Sequence, residues 1–215
     1  MPLILQQATE ADAPRAAVVE KAAYAPNPFD KVLFPGPFPE PEPGRNPRAE
    51  EMAKEFREDP TVRWLKVVDT DIEPTEDNKQ MIGFAQWNIR DDLKPFPGPR
   101  NFGPGCNVEA CDAIFGGLYK LRVKHYTGKK YVHLRGLQVV PEHQRRGAGR
   151  MLVMWGVEEA KRRNLPCHLE SSEEGHSLYL SCGFRDIDKH TTDCTKWGKA
   201  AETTSYVMAL ELPEA

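Results

Sequence analysis

Apolar and polar positions change period several times along this chain, and each change marks a boundary. Leu3 to Ala8 is a short apolar run that predicts a strand. Thr9 follows as a helix cap, with Asp12 at capping-box spacing, and Ala13, Ala16, Ala17, Val18 and Ala22 continue at helical spacing. Arg48 to Glu58 reads as a charged helix. Val62 to Val68 and Met81 to Ile89 read as two strands, joined through the acidic, polar Asp69 to Gln80 as an exposed hairpin loop. Lys130 to Val140 predicts another strand. Gly147 to Arg163 predicts a helix whose buried stripe is Val153, Gly156, Val157 and Ala160. A strand over Leu165 to Glu170 and a short helix over Glu174 to Ser181 come next, the helix stopped by Gly183. Phe184 to Asp188 and Thr203 to Leu212 close the chain as strands. The order βα(α)ββ–insert–βαβαββ predicts an α/β fold around a central mixed sheet.

Two segments break the pattern. Ala25 to Pro47 is rich in proline, with Phe29, Leu33, Phe34 and Phe38 between the prolines. Proline forbids a continuous helix and donates poorly to a ladder. The segment is either an ordered loop whose aromatics pack on the core or a lid over a pocket. Arg90 to His125 begins rich in Pro and Gly. Its second half, Glu109 to Val123, has helical character despite Gly116 and Gly117.

Length and composition narrow the class. A chain of 215 residues with 40% hydrophobic content supports one domain over 1–215, with insertions at about 25–47 and 90–125. A net charge of −3 argues against nucleic acid as the main partner, although Lys120 to Lys130 is locally basic. No stretch is long enough to span a membrane, and Met1 to Gln7 lacks the features of a signal peptide. Five cysteines, an odd number with no Cys-x-x-Cys spacing, fit a reducing compartment, cytoplasmic with the nucleus also open. Cys106 and Cys111 lie near Glu109, Asp112 and His125 without zinc-ligand spacing, so no metal is expected.

The chemistry concentrates at Val139 to Arg150. An apolar strand enters a Gln144-Arg145-Arg146-Gly147-Ala148-Gly149 loop that opens directly into a helix. Unpaired amides and the helix dipole favour phosphate at such a place. The Lys-Ser/Thr of a P-loop and the third glycine of a dinucleotide fingerprint are both missing. Two further signals follow in order: Leu169-Glu170-Ser171-Ser172 at a strand end, then Ser177-Leu178-Tyr179-Leu180-Ser181-Cys182-Gly183-Phe184.

Together these three signals, over about Val132 to Ile187, resemble the GCN5-related N-acetyltransferase (GNAT) superfamily. Its Gln/Arg-x-x-Gly-x-Gly/Ala loop is similar to Gln144–Gly149. Its Leu-Tyr…Gly-Phe signature is similar to Leu178-Tyr179 with Gly183-Phe184. The resemblance implies a mostly antiparallel sheet of about six or seven strands, splayed at a coenzyme site and flanked by helices on both faces. It implies acetyl-CoA (coenzyme A) as cofactor. The pyrophosphate would be cradled by Gln144, Arg145, Arg146, Gly147, Ala148, Gly149 and Arg150, with Gly147 and Gly149 permitting close backbone approach. Leu137, Gln138 and Val139 would pair with the pantetheine arm like an added strand, and Gly136 suits a bulge there. Ser172 stands where many relatives carry an asparagine on the coenzyme arm, and Ser177 lies on the helix that follows.

The resemblance also implies Tyr179 as the acid for the leaving thiolate. A relative's base lies eleven positions before the loop glutamine, which nominates His133; period-two alternation would put His133, Arg135 and Leu137 on one face. Glu170 and Glu109 compete as bases, and many relatives rely on water chains. The expected reaction is acetyl transfer to a primary amine, favouring a small molecule, by direct attack in a ternary complex. A peptide N-terminus or lysine is the alternative acceptor, and a non-catalytic acyl-CoA-binding module is a further alternative. The acceptor would sit between the proline-rich loop, the central insertion and Lys189 to Thr203. Phe34, Phe38, Trp87 and Trp197 could line it or belong to the core. No nucleic-acid or membrane partner is expected, and the chain would be a monomer or homodimer.

Overall fold

Seven strands form a single sheet of order β1-β2-β3-β4-β5-β7-β6, its inner strand β3 buried on both faces and its edge strand β6 largely exposed. The computed structural model describes residues 2–93, 98–198 and 202–210. The strands are β1 (Leu3–Gln7), β2 (Val62–Asp69), β3 (Met81–Arg90), β4 (Tyr131–Val139), β5 (Cys167–Ser171), β6 (Arg185–Asp193) and β7 (Glu202–Leu210). Every pairing is antiparallel except β4 with β5, the pair joined by a helical crossover. The helices are α1 (Ala13–Tyr24), α2 (Asp30–Leu33), α3 (Pro47–Glu58), α4 (Val108–Cys111), α5 (Gly117–Tyr126), α6 (Ala148–Arg163) and α7 (Glu173–Ser181). The fold is the α/β arrangement expected, and α1 is entered through the expected Thr9–Asp12 capping box.

Helices cover both faces. On one, α6 buries Leu152, Val153, Val157 and Ala160 against the sheet. Gly156 is where α6 passes over Trp87; a Cβ there would overlap the indole. On the other face, Phe56 of α3 stacks on Trp64 (4.5 Å), which meets Phe84 edge-on (5.3 Å). Further along this face Tyr126 of α5 lies flat on His168 at 3.6 Å.

The central insertion is helical from Val108 to Tyr126, with a π-turn at Asp112–Gly116 between α4 and α5. The glycine pair has a packing reason. The His190 ring of β6 occupies the space a Gly117 Cβ would need, and its Nε2 donates to the Ala113 carbonyl at 2.7 Å.

Several expectations require correction. β6 runs on to Asp193 instead of ending near Asp188. It is an edge strand paired only with β7, so its exposed positions need no apolar face, and Thr191 and Thr192 supply β propensity instead. The supposed loop from Lys189 is therefore strand for its first part; its residues 199–201, like Glu211–Leu212 of the last predicted strand and residues 94–97 of the central insertion, lie outside the described residues. Of the aromatics left open between pocket and core, Trp87 belongs to the main core, where it is fully buried. Phe38 is 53% exposed. Phe34 and Trp197 do approach each other's neighbourhood, in a second apolar cluster of Val32, Leu33, Ala110, Cys111, Ile114 and Cys194. That cluster ties the proline-rich segment, the insertion and the β6–β7 connection together.

Candidate active site

The site starts where β4 and β5 part. They pair in parallel over Val132↔Cys167, His133↔His168 and Leu134↔Leu169, and no further. From Gly136 to Val139, β4 keeps its other neighbour, β3. A register shift at Gln86/Trp87 leaves Arg135 as an extra residue, a bulge immediately before Gly136. The Val140 amide donates to Ile82 of β3, so by alternation the backbone groups of Leu137 and Val139 point the other way, into the gap. One of them is already engaged: the Val139 carbonyl accepts from Gln144 Nε2 at 3.1 Å.

The bulge also overturns one expected placement. His133 shares its face with α5, Gln138 reaches Tyr24 of α1, and Arg135 pairs with Glu55 of α3. Leu137 faces α6 instead, where its Cδ2 lies 3.8 Å from the Cβ position of Gly149. One inserted residue inverts strict alternation beyond it.

At the mouth of the gap, Arg145 (φ +61°) and Gly147 (φ +96°) turn left-handed and aim the loop into α6. The backbone amides of Arg145 through Arg150 donate to no acceptor among the described residues. A Cβ on Gly147 would meet nothing within 4 Å, so open space lies beside those amides. This is the geometry of an anion cradle at a helix start, completed by the dipole of the sixteen-residue α6.

The loop's side chains divide their work. Arg146 donates to the buried Asp69 at the end of β2 (2.6 Å) and to His143 Nδ1 (2.6 Å), which clamps the loop to the sheet. Arg150 donates to the Ser181 carbonyl at the end of α7 (3.0 Å). Arg145 is exposed and makes no ion pair with the described residues. Gly149 proves to be a packing glycine: its Cβ position is 3.1 Å from Leu178 of α7. Ala148 is buried beneath the cradle. Ser172 is the exposed N-cap residue of α7, and Ser177 is exposed one turn later.

Tyr179 comes from the buried side of α7, packed edge-on against Phe184. Burial raises its pKa, and neighbouring Tyr24 adds to the effect, so the phenol stays protonated. Its hydroxyl donates to none of the described residues. Gly175 makes room for the ring, at 3.0 Å.

His133 lies across the sheet face, buried under α5. Its Nε2 is 2.9 Å from Glu170 Oε2. Arg122 grips the same carboxylate with two bonds, Nε to Oε1 at 2.9 Å and Nη2 to Oε2 at 2.8 Å. His168 stacks on His133 at 4.4 Å, nearly parallel, and neither of its nitrogens has a hydrogen-bond partner among the described residues. Desolvation lowers the His133 pKa, with Glu170 opposing and Arg122 assisting, so the ring is neutral near pH 7. Burial would raise Glu170, but His133 and Arg122 together outweigh it and hold the carboxylate well below its ordinary range. Arg122 and His168 escaped the sequence reading. The parallel register aligning His133 with His168, and the insertion helix that brings Arg122, are products of the fold; only the His168-x-Glu170 alternation was visible beforehand. Glu109, the other competing base, is exposed and paired with Lys196, far from this cluster in its bonding.

Residues 33–184 match the model of the acetyltransferase (GNAT) family. The chain belongs to this family. A curated relative, a probable acyltransferase SID5 of Ajellomyces capsulatus, is 25% identical over 109 residues, 51% of this chain and 70% of that protein. Among solved structures, a histone acetyltransferase HPA2 and related acetyltransferase from Corynebacterium glutamicum aligns over 100% of both chains, with TM-score 0.60 and 18% identity. The Salmonella typhimurium putative acetyltransferase yncA, solved with its cofactor acetyl-CoA, aligns over 100% of this chain and 96% of its own, with TM-score 0.54 and 15% identity. These structures share the GNAT fold, including the seven-stranded, mostly antiparallel sheet described above.

Proposed function

We propose that this GNAT acyltransferase moves an acetyl group from acetyl-CoA to a primary amine of a small molecule, by direct attack in a ternary complex. The observation that carries the reading is the run of unpaired amides from Arg145 to Arg150 beside open space, set at the mouth of the β4–β5 gap. Acetyl-CoA supplies an acetyl group already activated as a thioester. The amides of the loop and the N-terminus of α6 hold its pyrophosphate. The free edge of Leu137 and Val139 holds its amide arm as an added strand, with Gln138 fixed behind it by Tyr24. An amide of that edge also polarises the carbonyl as negative charge grows on oxygen.

His133 removes the proton from the incoming ammonium, so that nitrogen attacks with its lone pair free. As the new C–N bond forms and the C–S bond breaks, Tyr179 donates its phenolic proton to the departing sulfur; the second amine proton, lost as the amide forms, restores the phenol, and His133 releases its proton to solvent. Its raised pKa keeps that proton available across the neutral range. Ser172 and Ser177 border the entry of α7 and offer hydroxyls to the coenzyme arm. A small acceptor is favoured because α2, the α4–α5 insertion and the β6–β7 connection close on one another through their own apolar cluster, leaving less room for a peptide.

Thiol release from acetyl-CoA, followed over a panel of primary amines and of peptides, tests the reading. Turnover with small amines is expected. Turnover on peptides alone replaces the acceptor class, and acetyl-CoA binding with no turnover on any amine points to the non-catalytic module.

A further inference from the structure

The insertion helix α5 brings one charged side chain beneath the sheet face that carries His133. Arg122 is half-buried, and its guanidinium forks onto Glu170, whose side chain is 10% exposed. The Oε2 atom of that carboxylate is shared with His133 Nε2. His168 lies parallel behind the His133 ring and is itself backed by Tyr126. Three elements, α5, β4 and β5, thus converge on one imidazole.

We propose that Arg122 and Glu170 are positioning residues that fix the tautomer and orientation of His133, making a buried Arg–Glu–His relay out of the central insertion and the sheet. A carboxylate can only accept, so the His133 nitrogen facing it, Nε2, carries the proton. Nδ1 is left with its lone pair and bonds to none of the described residues. That is the nitrogen available to take a proton from an amine. The arrangement follows the logic of a carboxylate behind a catalytic histidine, with an arginine added behind the carboxylate. The stack against His168 resists rotation of the ring about its own axis. The inference rests on the reading of His133 as the base.

The same residues, His133, His168 and Glu170, bring three metal-ligating atoms within 4.8 Å of one another. Two features oppose a metal. Arg122 already occupies both carboxylate oxygens and places a positive charge where a cation would sit. The parallel rings run their lone pairs side by side instead of converging on one point.

The charged and titratable groups facing His133 are Glu170 and His168 from β5, Arg122 from α5, Arg90 from β3, and Tyr131 from β4, with Tyr126 of α5 behind His168. Arg122 disfavours the imidazolium and Glu170 favours it. Replacing each therefore moves the titration in opposite directions. In Glu170→Gln, Arg122 would hold the remaining amide oxygen and turn the amide N–H toward Nε2, forcing the proton to Nδ1.

The test is long-range proton–nitrogen NMR of the full chain, with His133 assigned by its loss in His133→Gln, combined with transfer kinetics on an amine from the panel. The wild-type ring should be neutral at pH 7 with its proton on Nε2. Glu170→Gln should move the proton to Nδ1 and lower kcat by about a hundredfold or more, with KM for acetyl-CoA unchanged. Arg122→Gln should shift the acid limb of kcat/KM to higher pH. A wild-type Nδ1–H tautomer, or an unmoved tautomer and rate in a folded Glu170→Gln, overturns the relay. One zinc per chain in the purified protein also overturns it. Full turnover in His133→Gln sinks the base assignment itself, whereas loss there with Glu170→Gln unaffected sinks the relay alone.

Discussion

Tyr179 shows what one residue contributes and how its role can be separated from its packing. The ring is buried against Phe184 and over Gly175, so a phenylalanine keeps the contacts and loses only the hydroxyl. Tyr179→Phe should lower kcat by about a hundredfold, the usual scale of one positioned acid, and leave acetyl-CoA affinity within about twofold. Thermal midpoints should match the wild type, since the hydroxyl has no hydrogen bond to lose among the described residues. An unchanged kcat removes Tyr179 from the chemistry. At this scale the sequence nominated Tyr179 by resemblance to a Leu-Tyr…Gly-Phe signature, and the structure places its ring on the buried side of α7 against Phe184. The sequence reading grouped Gly149 with Gly147 as glycines that permit close backbone approach. Their neighbours differ: Gly147 faces open space at positive φ, while Gly149 lets α6 touch Leu178 of α7. Spacing cannot distinguish those two reasons for lacking a Cβ.

The Gln144–Gly149 loop is held as an element because β2 restrains it. Asp69 closes β2 in a nearly inaccessible position and accepts from Arg146, 77 residues away in sequence. Asp69→Asn should keep the fold and weaken the charge-assisted clamp, costing about 1–2 kcal/mol of loop order. Acetyl-CoA binding, measured by calorimetry, should weaken roughly tenfold or somewhat more; unchanged affinity would mean that the cradle is ordered by its own backbone. The loop's backbone course was legible in sequence because it is local: a strand end, two glycines and a helix start are contiguous. Its anchor was not, since Asp69 read only as the first residue of a polar hairpin loop. The central insertion shows the same limit. Its helical character was visible from Glu109 onward, but the π-turn and the Gly117 contact depend on His190 from a distant strand.

Across the whole molecule, the least usual feature is a buried pair of histidines, His133 and His168, in the sheet interior. Desolvation lowers both pKa values from the ordinary 6.5. The unfolded chain therefore binds more protons than the folded one below about pH 6.5. Stability should be full at neutral pH and fall as pH drops through that value, by up to about 1.4 kcal/mol per pH unit for each histidine. Urea midpoints between pH 7.5 and 5.5 measure this. His168→Leu should be at least as stable at pH 7, because an imidazole whose two nitrogens find no partner among the described residues is costly to bury. The same variant should lose part of the acid sensitivity. Equal pH slopes in wild type and His168→Leu would show that His168 does not titrate with unfolding.

By itself the sequence determined what is periodic or contiguous: most of the strands and helices, the capping box at Thr9, the glycine loop that opens α6 and the acetyltransferase resemblance. Those features arise from interactions between near neighbours, which a linear text records. The tertiary structure decided what depends on register and on distant partners. A one-residue bulge at Arg135 turned Leu137 away from the His133 face. Trp87 went to the core because α6 offers it a glycine, Gly156. His133 acquired Glu170 across a strand pair and Arg122 from an insertion. No sequence period encodes those meetings, because a side chain's electrostatic surroundings are set by which strands and helices pack together, and that is settled only when the whole sheet closes over its helices.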